Sequence, residues 1–376
     1  MQKVIVIPDS FKGSMPSREV ADILTESAKR YLKCDVVKLP IADGGEGSVD
    51  CILRTRGGTR KSVPVHSPEG KPIEAEFGVI DEKTAVIEIA ESSGLTKQTG
   101  FHALEAGTYG FGEQIRSALD MGYRDFFLCL GGSATTDCGC GMAAALGVRF
   151  QDKEGKDFIP VGGTLSEVSF IDLSCLDPRI AQSSFTVMSD VSSPLYGPLG
   201  AAYIFAPQKG ASEAEVEILD AGLRHIAEII ERDCRTDCHM DAAGAAGGTG
   251  YGCAAFLKAK LVSGIEGLLA LCGFDALVKD CDLIVTGEGR LDRQSLMGKV
   301  LSGIRRHAGD IEIVSFCGIC EVPPDELAKK HITPVEIGSG IELTESMERG
   351  AYYLGIAADS YFQKKSKEGH RCRMYR

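Results

Sequence analysis

Six acidic residues, Asp9, Asp43, Glu46, Asp190, Glu288 and Asp292, stand in polar, glycine-rich segments that follow apolar runs. Lys12, Arg290, Arg293 and Lys299 supply positive charge in the same kind of segment. Phosphoryl transfer needs these parts: carboxylates to hold Mg²⁺, cations or amides on the transferring group, and a base for the attacking hydroxyl. Helix capping and loop hydrogen bonding are the competing use of such acids and are expected for two or three of them. A solvated helix position is the competing use of Lys299.

The segments "PDSFKGS", "ADGGEGS", "LGGSATTDCG", "SDVSSP" and "VTGEGRLDRQS" each end a predicted strand. Ligands of open α/β sheets bind beyond the carboxyl ends of the strands, so the five together point to one crevice. The chain lacks G-x-x-x-x-G-K-[ST], and its first strand is not followed by G-x-G-x-x-G, which disfavours P-loop and standard dinucleotide readings. Gly139, Gly141 and Ala144 satisfy a loose G-x-G-x-x-A, but close packing of a helix capped by Asp137 explains them better.

The elements that must position these residues follow from periodicity. "KVIVIPDS", a helical face of Val20, Ile23, Leu24, Ala28 and Tyr31 with Pro16 in its first turn, and "CDVVKLPI" read as a βαβ start. Between Thr59 and Ala90, "TRKSVPVH", "KPIEAEFGVI" and "KTAVIEIA" are separated by short turns and read as antiparallel hairpins. Further on, helices are predicted at residues 107–119 and 213–231, with strands at "DFFLCL" and "SFTVMSD". The βα alternation then resumes with "CDLIVTGEG", a helix over 295–307, "IEIVSFCG", a helix after Pro324, "ITPVEI" and a long helix from Leu343. The expected fold class is α/β, with a parallel sheet shared by residues 1–65 and 275–376 and an inserted mixed α/β domain (66–274).

Composition narrows the partners. With 376 residues, 44% hydrophobic, the chain can bury a large core. A formal net charge of -12 argues against nucleic acid and anionic lipid, while local Lys and Arg still allow a small anionic substrate. No apolar segment is long enough to span a bilayer and no signal-peptide pattern opens the chain, so a cytoplasmic protein is expected. The 14 cysteines are expected to be reduced thiols, and both C-x-x-C at Cys317 and Cys320 and the grouping of Cys234, Cys238 and His239 read as chance.

In order along residues 8–299, "PDSFKGS", "ADGGEGS", "GGSATTDCGCGMAAALG", "SDVSSPLYGPLGAA", "GAAGGTGYG" and "VTGEGRLDRQSLMGK" resemble the signatures of the type I glycerate kinases. Thr136, Cys138 and Cys140 depart from the usual "SATNDGGAG", and Ser193 stands where Asn is usual. The resemblance implies ATP- and Mg²⁺-dependent phosphorylation of D-glycerate at its 2-hydroxyl, on a Rossmann-like domain (1–65 and 275–376) with an inserted domain (66–274) and the active site in the cleft between them. The 3-hydroxyl or another small hydroxy acid is the nearest alternative, and a non-catalytic nucleotide binder the alternative outside this class. No nucleic acid or membrane partner is implied, and a homodimer is allowed.

On this reading the turn of Gly131, Gly132, Ser133, Ala134 and Thr135, with the helix terminus after it, holds ATP phosphate through backbone amides. Asp43 and Glu288 are the expected Mg²⁺ ligands, and Ser10 and Arg290 the expected substrate contacts. Lys12 and Arg290 would neutralise the glycerate carboxylate or the transferring phosphate. Asp190 is the expected base, with Asp292 its rival.

Overall fold

A computed structural model describes residues 3–39, 47–100, 102–296 and 300–374. The chain divides into two compact units, Met1–Ile41 with Leu268–Arg376, and Ala42–Gly267.

The first unit is built on an all-parallel five-stranded sheet in the order Ile332–Glu336, Ile313–Cys320, Leu283–Leu291, Lys3–Val6, Asp35–Lys38. Val4, Val6, Leu283, Val285, Val314 and Phe316 are buried in it, as continuous apolar runs in a parallel sheet should be. Helix Ser17–Tyr31, preceded by Pro16, buries Val20, Leu24 and Ala28 against the same core. Helix Gly350–Met374 packs on that helix and inserts Leu354, Ala358 and Phe362. The single long helix expected from Leu343 is two, Leu343–Glu348 and Gly350–Met374. The break falls at Arg349, whose φ of -110° and ψ of 24° leave the helical region.

The second unit carries a six-stranded mixed sheet in the order Lys260–Val262, Ser184–Met188, Asp125–Cys129, Thr84–Glu88, Pro72–Val79, Thr59–His66. The first four strands run parallel and the last two pair antiparallel, as their hairpin pattern predicts. The boundary expected near Val65 therefore moves to Ile41, because Val63 and Val65 pair with Ala75 and Ile73 and belong to this sheet. The boundary expected at 274 moves to Gly267. Helix Glu213–Cys234 starts with a reciprocal cap between Ser212 and Glu215. A small antiparallel sheet of Asp157–Phe158, Arg149–Gln151 and Phe170–Asp172 completes the unit. Among the described residues no helix is long and apolar enough to cross a membrane.

Phe362 anchors the last helix: it is fully buried, with its ring 6.2 Å from that of Phe316. Phe362→Ala is expected to destabilise the protein by about 3–5 kcal/mol. The measurement is the shift of the urea midpoint.

Candidate active site

In the first unit, the acid-bearing segments gather at the carboxyl end of the parallel sheet. The Asp9 amide donates to the Gly287 carbonyl at 2.8 Å, which sets residues 9–12 beside residues 287–289. Asp9 accepts from the Ser10 amide at 2.6 Å, and Lys12 is exposed in a tight turn closed by Phe11 and Met15. Glu288 is half-buried and accepts from Ser295 Oγ at 2.5 Å. Ser295 is fully buried and also receives the Asp292 amide, while Asp292 Oδ1 accepts from the amides of Gln294 and Ser295. One hydroxyl thus ties Glu288 to the Asp292 turn. Ser295 was not singled out in the sequence, although a Ser three residues after an Asp is the spacing of a reciprocal side-chain-to-backbone turn.

Arg290 is exposed and pairs with Glu321 at 3.4 Å, both side chains being more than half accessible. Such a pair is worth little and yields readily to a better anion. The helix expected over 295–307 is described over Val300–His307, and residues 292–295 form the Asp292 turn. Asp43, Glu46 and Lys299 lie outside the described residues.

In the second unit, the glycine-rich turn and Asp190 follow adjacent parallel strands whose last residues, Cys129 and Met188, are in register. Asp190 is exposed and its Oδ1 accepts from the Gly264 amide at 2.9 Å, at the start of helix Gly264–Leu271. The competing structural use, a bond to a backbone amide, is therefore present.

The glycine-rich turn departs from expectation in detail. Gly131 is half-buried and Gly132 exposed at φ +76°, but Ser133, Ala134 and Thr135 are buried. The Ala134 amide already donates to Ser93 O, and the Thr135 amide to Ser133 Oγ. These two amides cannot also serve a phosphate, so the candidate phosphate contact contracts to residues 131–133.

The helix terminus after the turn is likewise filled. Asp137, fully buried, accepts from the Thr108 amide at 2.8 Å, Thr108 Oγ1 at 2.7 Å, and the amides of Gly139 and Gly141 at 3.2 Å each. Burial pushes its carboxyl above the ordinary value, and these donors oppose the shift. All four partners are donors, which suits the ionised acid. A second anion has no place there. Gly141 is packed against the amides of Thr108 and Tyr109, in keeping with the helix-packing reading.

Two more residues were missed. Glu88, 4% exposed at the end of strand Thr84–Glu88, accepts from the Val49 amide at 2.6 Å and holds the start of helix Ser48–Arg56. Its burial pushes its pKa up. The signal was an acid closing an otherwise apolar strand. Lys209, 2% exposed, donates to Thr135 O at 2.6 Å, and nothing in the polar sequence "PQKG" announces its burial.

Among the described residues, the ligand atoms of Asp237, Cys238 and His239 lie within 4.8 Å of one another. Burial raises the pKa of the Cys238 thiol, which disfavours the thiolate a metal would need. The described cysteines are free thiols.

Strand-end acids, a glycine-rich turn and exposed cations on α/β sheets are the equipment of a phosphotransferase. The chain belongs to the glycerate kinase family, whose model matches residues 4–363. A glycerate kinase of Halalkalibacterium halodurans is 43% identical over 325 residues, covering 85% of this chain and 86% of that one. The glycerate 2-kinase of Escherichia coli strain K12 is 40% identical, over 80% of this chain and 81% of that one. A crystal structure from Salmonella typhimurium LT2 superposes with a TM-score of 0.81 at 33% identity, covering 98% of this chain and 99% of that one.

Asp137→Asn would face its amide nitrogen toward at least one of these donors. A loss of about 1–3 kcal/mol is expected, read from the denaturant midpoint at unchanged slope. Thr136 makes the opposite case: its Oγ1 is buried and has no hydrogen-bond partner among the described residues. Thr136→Val removes that hydroxyl at nearly constant volume and is expected to raise stability by about 1 kcal/mol, measured the same way.

Proposed function

We propose that this protein transfers the γ-phosphoryl group of ATP to the 2-hydroxyl of D-glycerate. The observation that carries the reading is the Glu288–Ser295–Asp292 group beside Asp9, Ser10 and Lys12 at the carboxyl end of a parallel sheet. The name of the Escherichia coli relative supports the choice of hydroxyl.

Glu288 offers hard carboxylate oxygen and is oriented by Ser295, so it fits a Mg²⁺ ligand. Mg²⁺ would neutralise charge on the β- and γ-phosphate oxygens. Arg290, which pairs with Glu321 at an exposed position, exchanges that partner for the glycerate carboxylate, which its planar fork matches. Lys12, on an exposed turn, meets the transferring phosphate, and Ser10 hydrogen-bonds the substrate. The amides of residues 131–133 hold the ATP phosphates. Asp190, aimed by its bond to Gly264, orients the attacking hydroxyl and accepts its proton. The free thiols among the described cysteines support a cytoplasmic setting.

A coupled ADP-release assay over a panel of hydroxy acids, with product position read by phosphorus NMR, tests the reading. D-Glycerate is expected to give 2-phosphoglycerate; 3-phosphoglycerate would overturn the choice of hydroxyl, and no ADP release would overturn the whole. Asp190→Asn preserves an oxygen for the Gly264 amide while removing charge. It is expected to lower kcat about 10²- to 10⁴-fold with melting temperature nearly unchanged. A near-parental kcat would transfer the role to Asp292.

A further inference from the structure

Phosphoryl transfer as described leaves the buried ammonium of Lys209 unused. Lys209 closes the short turn Pro207–Lys209, is 2% exposed, and donates from Nζ to the Thr135 carbonyl at 2.6 Å. The same carbonyl is covered on another side by Gly247, where any Cβ would collide with Thr135 O. The carbonyl is therefore clamped: an ammonium grips it, and a bare Cα keeps it from turning away.

Packing alone does not account for a lysine here. Burial disfavours the ammonium and pushes its pKa down to about 8, while the negative charge of Asp137 opposes the shift. The ammonium still prevails at pH 7. A methionine would fill a similar volume without the desolvation cost. The charged group makes sense through what it holds, because Thr135 ends the turn whose exposed face carries Gly131 and Gly132.

We propose that Lys209 is a positioning residue for nucleotide binding. Its ammonium fixes the Thr135 carbonyl inward, which fixes the inner half of the turn and leaves the outer amides of residues 131–133 facing the ATP phosphates. Ser93 O, which receives the Ala134 amide, and the Leu95 amide, which donates to Gly132 O, brace the turn from the other side. Lys209 touches no substrate. The inference rests on reading residues 131–133 as the phosphate turn.

Two variants separate the inference from that reading. Gly132→Val places a branched side chain at φ +76° on the exposed face and tests the phosphate turn itself. Lys209→Met removes the grip and leaves the exposed face intact. If both hold, each raises the KM and the dissociation constant for ATP. Lys209→Met is expected to do so roughly 10- to 100-fold, the worth of one hydrogen bond to a charged group. Its KM for D-glycerate and its kcat at saturating ATP should stay within about twofold. Unchanged ATP affinity in Gly132→Val would overturn the phosphate turn and the inference with it. Raised KM in Gly132→Val with parental ATP affinity in folded Lys209→Met would overturn the inference alone. Should Lys209→Met fail to fold, Lys209→Gln, which keeps a neutral donor, is read by the same criteria. Failure of both to fold would assign Lys209 to stability and overturn the inference.

Discussion

A buried carboxylate organises the second unit. Asp137 gathers Thr108, Gly139 and Gly141 around two oxygens and thereby joins the glycine-rich turn, the start of helix Tyr109–Asp120 and the start of helix Cys140–Ala145. Taking a carboxylate out of water costs several kcal/mol, and only a full set of donors offsets it. The arrangement is consequently all-or-none. Thr108 Oγ1 extends it by accepting the Met142 amide while donating to Asp137, so one helix start is pinned to the other. Because that anion belongs to the protein, the helix terminus behind the turn is already occupied.

The first unit solves a related problem with less charge. Glu288 and the Asp292 turn are both acidic, and Ser295 links them through a hydroxyl that donates to one carboxylate and accepts the amide beside the other. The exposed Arg290–Glu321 pair stands nearby at the end of the same strand and keeps its guanidinium extended in solvent.

Much of this was legible along the chain. Strand Thr59–His66 was visible from end to end because alternation survives where one sheet face is solvated. Helix Glu213–Cys234 was visible because its apolar face repeats over many turns behind a capping box. The helix Ser48–Arg56 escaped, since it is short and follows a run of glycines whose local preference is for turns. Its start is held by Glu88, 39 residues away in sequence, and no local pattern encodes that contact. The same holds for the site. Acids at strand ends could be picked out by position, but whether an amide in the glycine-rich turn is free depends on Ser93 and Ser133, and the burial of Lys209 depends on a carbonyl 74 residues before it. Cys138 shows the limit from another side: it adopts φ +55°, a left-handed backbone that favours glycine, though its own side chain is fully buried.

The strand order of the first unit also bears on how the protein is made. Strand Lys3–Val6 lies between Asp35–Lys38 and Leu283–Leu291, so one of its two neighbours leaves the ribosome about 280 residues after it. At roughly 5–20 residues per second the apolar amino-terminal strand and helix wait for on the order of tens of seconds without their sheet. The second unit, contiguous from Ala42 to Gly267, emerges complete in that interval and can fold first. The nascent chain therefore carries a finished unit tethered to an unfinished one, and the exposed Val4, Ile5, Val6 and Leu24 are the surface a chaperone would meet during synthesis.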